Sequence, residues 1–278
     1  TIKNKFCNFN NIKTINIHDV NSENLLYILN KCEITNSRDN NKTNENIILD
    51  FIKDNYYNNK YAKYLPNLLY FWNQFHSTDK TSLLSLYLKK QINIDSNLKN
   101  VGPSENLIGI ITSKSLKMNI NNKKFDIYYV DNLCIDKNFR KKGIAPELIQ
   151  THEFNQAYFN KNSQISLFKR EGELTGIMHL TKYTVIQYKF NTVKEKLTLF
   201  NNLEIIKITN LNIHLLTNFL NISKFKFKCI IVPSLSNLLS LVQDNIYIIY
   251  VLLINKEINC CYIFKNSDMY YLNSKNNK

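Results

Sequence analysis

Residues 140–145, Arg140-Lys141-Lys142-Gly143-Ile144-Ala145, form a run suited to holding an anion. They follow a strand-like stretch, 125–135, rich in aromatic and β-branched residues. They precede a helix-like stretch in which Pro146 suits a first turn and Leu148 and Ile149 begin an apolar face. Backbone N–H groups at the mouth of a helix have no intrahelical partner, and the helix dipole adds partial positive charge there. Such a place binds phosphate. Gly143 lets the chain turn tightly and a ligand approach the backbone. Ala145 keeps that approach open, and Arg140, Lys141 and Lys142 add charge.

The elements that must position this loop can be read from periodicity and punctuation. Helices are predicted over 16–31, 47–57, 65–75 (with Pro66 in the first turn and Trp72 buried), 145–160, 209–220 and 235–242. Strands are predicted over 82–89, 107–121, 125–135, 164–169, 183–190 and 203–206. Asn121-Asn122-Lys123 is a turn signal, and Asn255-Lys256 joins 247–253 and 257–264 into a hairpin. Residues 35–43, 91–103 and 170–176 read as polar or irregular connections.

Composition narrows the function classes. At 278 residues, 44% hydrophobic and 12% aromatic, the chain can bury one large core or two ordinary ones. No apolar run approaches the ~20 residues of a membrane span, and the first residues carry no secretory pattern, so a cytoplasmic protein is expected. The six cysteines include no pair at zinc-ligand spacing and read as reduced thiols, Cys134 among them as a core residue. The net charge of +14 does not point to nucleic acid. Only Arg38, Arg140 and Arg170 are arginines, and the lysines are scattered, whereas arginine is the preferred base and phosphate reader. Asn makes up about one residue in six, far above the norm. With Lys and Ile also enriched, this suggests an A+T-rich coding source, viral or protist.

Arg140-x-x-Gly143-x-Ala145 between a strand and a helix resembles the pyrophosphate loop of the GNAT superfamily of acyl-CoA transferases. The longer run is more specific. Asn132-Leu133-Cys134-Ile135-Asp136-Lys137, then Phe139 to Pro146, then Leu148-Ile149, is similar to the N-myristoyltransferase signature. That signature reads Asn-Phe-Leu-Cys-Val-His-Lys, Leu-Arg, basic residues, an aliphatic residue, Ala-Pro and Leu-Ile. The Leu107-Ile108-Gly109-Ile110-Ile111 strand, the 65–75 helix and, weakly, Lys5-Phe6 also resemble family elements.

The resemblance implies an α/β (α+β) fold: a GNAT-like mixed central sheet flanked by helices, with a second, incomplete GNAT-like half. It divides the chain into an acyl-CoA-binding unit, 1–195, and a partial peptide-side unit, 196–278. It implies an N-acyltransferase that moves a long-chain acyl group, myristoyl by family, from acyl-CoA to the N-terminal glycine of a peptide or protein. No metal is implied, and an oligomer is one way to complete the second half. Arg140, Lys141, Lys142, Gly143, Ile144 and Ala145 would hold the CoA pyrophosphate. The amides of Asn132 and Leu133 would hold the oxyanion that forms when an amine attacks the thioester. A bulge in the central strand could aim both at one point.

The amine must be uncharged to attack, so a proton acceptor is needed. The family uses its C-terminal carboxylate. The ending here, Asn273-Ser274-Lys275-Asn276-Asn277-Lys278, is too polar and basic to be expected in a buried catalytic role. His179, Glu173, Tyr183 and His214 are the substitutes the sequence offers. Two other functions fit the same residues: an acetyltransferase of the GNAT type, and a protein that binds acyl-CoA without transferring it.

Overall fold

Antiparallel pairing along residues 83–135 gives the molecule its centre. The computed structural model describes residues 7–20, 22, 43–57, 61–94, 100–163, 165–169, 179–184, 186, 188 and 202–271. The main sheet runs β1 (Ile12–Asn16), β3 (Leu83–Ile94), β4 (Asn100–Ile120), β5 (Lys123–Ile135) and β6 (Ser166–Phe168). All neighbours are antiparallel except β5 and β6. Asn121 and Asn122 join β4 to β5 with φ of 48° and 66°, the left-handed pair that a two-residue hairpin needs and that Asn tolerates.

Successive side chains on a strand point to opposite faces. Leu84, Leu86 and Leu88 therefore share one face, and α1 (Asn44–Asn55) and α2 (Leu68–Asn73) cover it with Ile48, Leu49, Ile52, Phe71 and Trp72. Tyr87, Ile108, Ile111 and Ile135 form the opposite core with Ile144 and Leu148 of α3 (Ile144–Phe159). Each fully buried Leu or Ile contributes about 1.5–3 kcal/mol, so the two cores hold the sheet between its helices. Gly109 allows this closeness: a Cβ there would lie 2.9 Å from Ile135 Cδ1 and 3.3 Å from Leu148 Cδ2. Behind the sheet, His152 of α3 bridges Ser85 of β3 (2.7 Å) and Ser113 of β4 (2.8 Å) through its two ring nitrogens. Burial lowers its pKa to about 3, so it is neutral.

Later residues build a second sheet, β7 (Leu203–Lys207), β9 (Tyr247–Ile254) and β10 (Glu257–Lys265), in the order β10-β9-β7. Asn255 and Lys256 form its hairpin turn with φ of 51° and 68°. Helices α4 (Ile213–Ser223) and α5 (Leu235–Gln243) pack on it through Leu216, Leu238 and Val242. Two strands from this region pair elsewhere. β8 (Cys229–Val232) pairs with the tip of β4, and β11 (Met269–Tyr271) pairs with β2 (Ala62–Tyr64). Asn237 also donates to the carbonyl of His76 at 2.6 Å.

Several expectations change. Most of 91–103 is strand, because the antiparallel ladder of β3 with β4 fixes that backbone whatever its side-chain pattern. Residues 183, 184, 186 and 188 lie outside any strand, with Tyr183, Ile186 and Tyr188 exposed. The 65–75 helix is shorter: Asn67 caps it by accepting from Leu69 N and Tyr70 N, so Pro66 precedes the cap. The 209–220 helix starts at Ile213, after a turn in which Asn212 accepts from Thr209 N. The short strands β1, β2, β8 and β11 carried no readable signal. The helix predicted over 16–31 and the 35–43 connection fall mainly outside the described residues, as do Lys5-Phe6, the 170–176 loop and the tail. The part of 16–31 that is described contains a single 3-10 turn, Ile17–Asp19.

Candidate functional site

The site grows from an irregularity in β5. Ile110 pairs with Cys134 and Thr112 pairs with Asp131, so Ile111 opposes two residues, Asn132 and Leu133. This is a β-bulge, and it bends the strand where the predicted oxyanion donors lie. Asn132 takes φ of 53°, a left-handed value that Asn tolerates better than most residues. Two hydrogen bonds hold it there. Its Nδ2 donates to Thr112 Oγ1 at 2.9 Å, and its backbone N–H donates to Asp131 Oδ1 at 2.8 Å.

On the other side of β5, β6 pairs in parallel only at Tyr128, Tyr129 and Val130. Among the described residues the ladder between the two strands ends at Val130.

β5 leads into the loop through a short turn. Asp136 accepts from Asn138 N at 2.7 Å and caps the 3-10 turn Lys137–Phe139. Arg140 then folds back: Nε donates to Ile135 O at 3.1 Å, and a terminal N–H donates to Asn55 O. The guanidinium thus ties the end of β5 to the carbonyl end of α1, where the helix dipole favours a cation. Lys141 and Gly143 have φ of 63° and 78°. Gly143 is the residue before α3, and a Cβ there would meet nothing within 4 Å. Ile144 and Ala145 supply first-turn N–H groups, and Pro146 has none to offer. Asn8 reaches Glu147 Oε2 (3.0 Å) and Thr151 Oγ1 (2.9 Å), laying the described N-terminal residues against the same helix.

The bulge and the helix mouth open onto one cavity of about 1020 Å³. Its walls include Asn132, Leu133, Arg140, Lys141, Gly143, Ile144 and Ala145, so seven of the eight predicted residues meet there. Lys142 does not line it. Its Nζ sits 4.9 Å from the centre of the Phe139 ring, with Lys89 Nζ at 4.8 Å from the same ring. Tyr56, Tyr64, Tyr70, Phe71, Cys134 and Ile135 give the cavity its aromatic and apolar lining. The loop 265–269 and Ile246 close it from the later part of the chain. Cys134 is buried, and burial pushes its thiol up to about 12, as befits a core residue.

Sequence reasoning missed the charged and phenolic groups around the bulge. Asp131 lines the cavity beside Asn132. Burial first, then Asp131, push Tyr129 up to about 12, with Tyr183 and Tyr247 adding to it. Tyr64 is likewise raised by burial first, then by Asp131 and Asp268. Burial and the Lys265 charge bring Lys114 down to about 8 while Asp131 pulls it back up. The signal that could have found Asp131 was its place next to Asn132 in the same motif. Of the named proton acceptors, His179, Tyr183 and His214 are exposed and do not line the cavity. Glu173 lies outside the described residues. Among the described residues no group of three His, Cys, Asp or Glu could hold a metal. No described helix is long and apolar enough to cross a membrane.

The fold is the one seen in N-myristoyltransferases. A crystal structure of Saccharomyces cerevisiae N-myristoyltransferase with bound myristoyl-CoA matches with a TM-score of 0.57 at 12% identity, over 97% of this chain and 63% of that one. A second structure of the yeast enzyme with bound myristoyl-CoA matches at 0.57 and 11%, over 98% and 61%. The chain belongs to the N-myristoyltransferase family. The family model "Myristoyl-CoA:protein N-myristoyltransferase, N-terminal domain" matches residues 11–158, more than half of the sequence. The chain spans 61 to 63% of the length of the yeast structures it resembles. No curated protein sequence matches it at a significant level.

Proposed function

We propose that this chain is an N-acyltransferase that moves a long-chain acyl group, myristoyl in particular, from acyl-CoA to the N-terminal glycine of a peptide or protein. One observation carries the reading: the bulge at Asn132-Leu133 and the helix mouth at Gly143-Ile144-Ala145 face a single cavity with an aromatic and apolar lining. The helix mouth and Lys141 suit the pyrophosphate, the bulge suits the thioester carbonyl, and the lining suits an acyl chain. Arg140 spends two N–H groups on backbone carbonyls, so it both sets the loop and leaves a further N–H for phosphate. On this reading residues 1–195 hold acyl-CoA, 196–278 contribute the peptide side, and the work is cytoplasmic. No metal takes part.

The test compares thioesters. A myristoyl chain has about twelve more methylenes than acetyl, each worth about 0.8 kcal/mol when buried. Even with much of that lost to ordering, myristoyl-CoA should bind tighter than acetyl-CoA by several powers of ten. CoA release on adding a glycine-first peptide then reports transfer. Equal affinity for the two thioesters would sink the reading. Preference without release supports the second reading, acyl-CoA binding without chemistry. One observation favours that alternative: the Asn132 amide is already taken by Asp131.

A further inference from the structure

We propose that Asp131 is the proton acceptor of the transfer reaction, and that taking the proton frees the Asn132 amide for the oxyanion. The inference rests on the transfer reading above. In the structure Asp131 Oδ1 accepts the Asn132 N–H at 2.8 Å, and Oδ2 has no hydrogen bond or ion pair among the described residues. The carboxylate therefore holds the same amide that a thioester oxygen would need, on the wall of the same cavity. Its backbone is pinned, since Thr112 Oγ1 donates to Asp131 O at 3.1 Å and also receives Asn132 Nδ2. The side chain can move while the strand does not.

The electrostatics give the order of events. An ionised carboxylate and a developing oxyanion would compete for one N–H donor and repel each other. Proton uptake neutralises the carboxylate first, weakens its hold on the amide, and removes that repulsion. The groups facing Asp131 are Tyr64 from β2, Lys114 from β4 and Tyr129 from its own strand, with Lys265 and Asp268 behind them. The elevated tyrosines remain protonated near neutral pH, so they do not compete for the proton of an incoming ammonium.

The step balances. The ammonium loses one proton to Asp131, and its lone pair forms the C–N bond as the C=O pair moves to oxygen. That pair returns as the C–S bond breaks, CoA leaves as thiolate, and the second amine proton goes to the thiolate. Asp131 then returns its proton to solvent.

The test is transfer from myristoyl-CoA to a glycine-first peptide by wild type, Asp131→Asn and Asp131→Glu between pH 6.5 and 9. An α-amino group has a pKa near ~8, so at pH 6.5 the reaction needs a base and at pH 9 it does not. Asp131→Asn should lose about 30-fold in kcat at pH 6.5, because only about 3% of an α-amino group with a pKa of about 8 is uncharged there. It should come within a few-fold of wild type at pH 9, with unchanged affinity for myristoyl-CoA. Asp131→Glu should recover part of the low-pH rate, and melting curves should show both variants folded. A loss of equal size at every pH, a rate matching wild type throughout, or a loss matched by weaker thioester binding would each overturn the assignment while transfer stands. Wild type that binds myristoyl-CoA but releases no CoA would instead overturn the transfer reading, and the base with it.

Discussion

Replacing Gly143 with Val should remove most of the affinity for CoA. Gly143 holds φ of 78° at the mouth of α3, and a side chain there would project into open space rather than into protein. A residue other than Gly pays roughly 1–2 kcal/mol to stay left-handed, and a β-branched one more. If Val tips the loop out of that conformation, the Ile144 and Ala145 amides no longer converge. If it does not, the isopropyl group stands where a phosphate would approach them. Pro146 offers no replacement donor, and Glu147 N already lies 3.5 Å from Gly143 O. Two charge-assisted hydrogen bonds at about 1.5–3 kcal/mol each give a loss of about 3–6 kcal/mol, or about 10²- to 10⁴-fold. Calorimetry with CoA, run well below the melting temperature of each variant, reads this directly, and Gly143→Ala should fall between. A folded Gly143→Val protein that binds CoA like wild type would refute the helix mouth as the phosphate site.

Arg140→Ala should weaken CoA binding and also lower the melting temperature, because it frees the carbonyls of Ile135 and Asn55; Arg140→Lys should restore little of either, since one ammonium cannot span both. An Ala variant with unchanged melting would show that this tie is not a stabilising one. Stability should also fall in acid through His152. Its folded pKa of about 3 lies below the unfolded value of about 6.5, so the unfolded state binds more protons between them and stability drops as pH falls through that window. Urea unfolding should give about 2–3 kcal/mol less at pH 4.5 than at pH 7, and His152→Gln should flatten that part of the curve. An unchanged slope in the variant would assign the acid sensitivity to other groups.

The sequence made the loop legible because its chemistry is local. Gly143, Pro146 and the basic run announce a helix mouth within a few residues, and β5 and α3 end within a residue or two of where their patterns place them. The bulge was foreseeable for the same reason, since Asn132 is a residue that tolerates φ of 53°. Strands β1, β2, β8 and β11 were not legible. Each has three to five residues, and each exists because a distant partner offers an edge, as Lys117–Ile120 does for Cys229–Val232. The backbone of 91–94 and 100–103 became strand by the same pairing. Arg140 illustrates a subtler limit. Its position near a phosphate loop was readable, but its bonds to Ile135 and Asn55 depend on where α1 ends in space. Asp131 was passed over because only the bulge turns its carboxylate onto the neighbouring amide.

The pairing of β11 with β2 bears on the order in which the molecule assembles. On the ribosome the chain emerges from its N-terminus, and the β3–β4–β5 meander can form from neighbours close in sequence. β2 cannot. The Asp268 carboxylate that receives the Asn67 amide is made 201 residues later, and the 265–269 wall of the cavity arrives with it. Closing so long a loop is entropically slow to achieve, although each further doubling of length adds only about 0.6 kcal/mol. Nascent protein should thus acquire its main sheet and helix mouth well before its binding chamber is shut. If the proposed ligand is right, acyl-CoA present during refolding would act as a template for that last closure rather than as a visitor to a finished site.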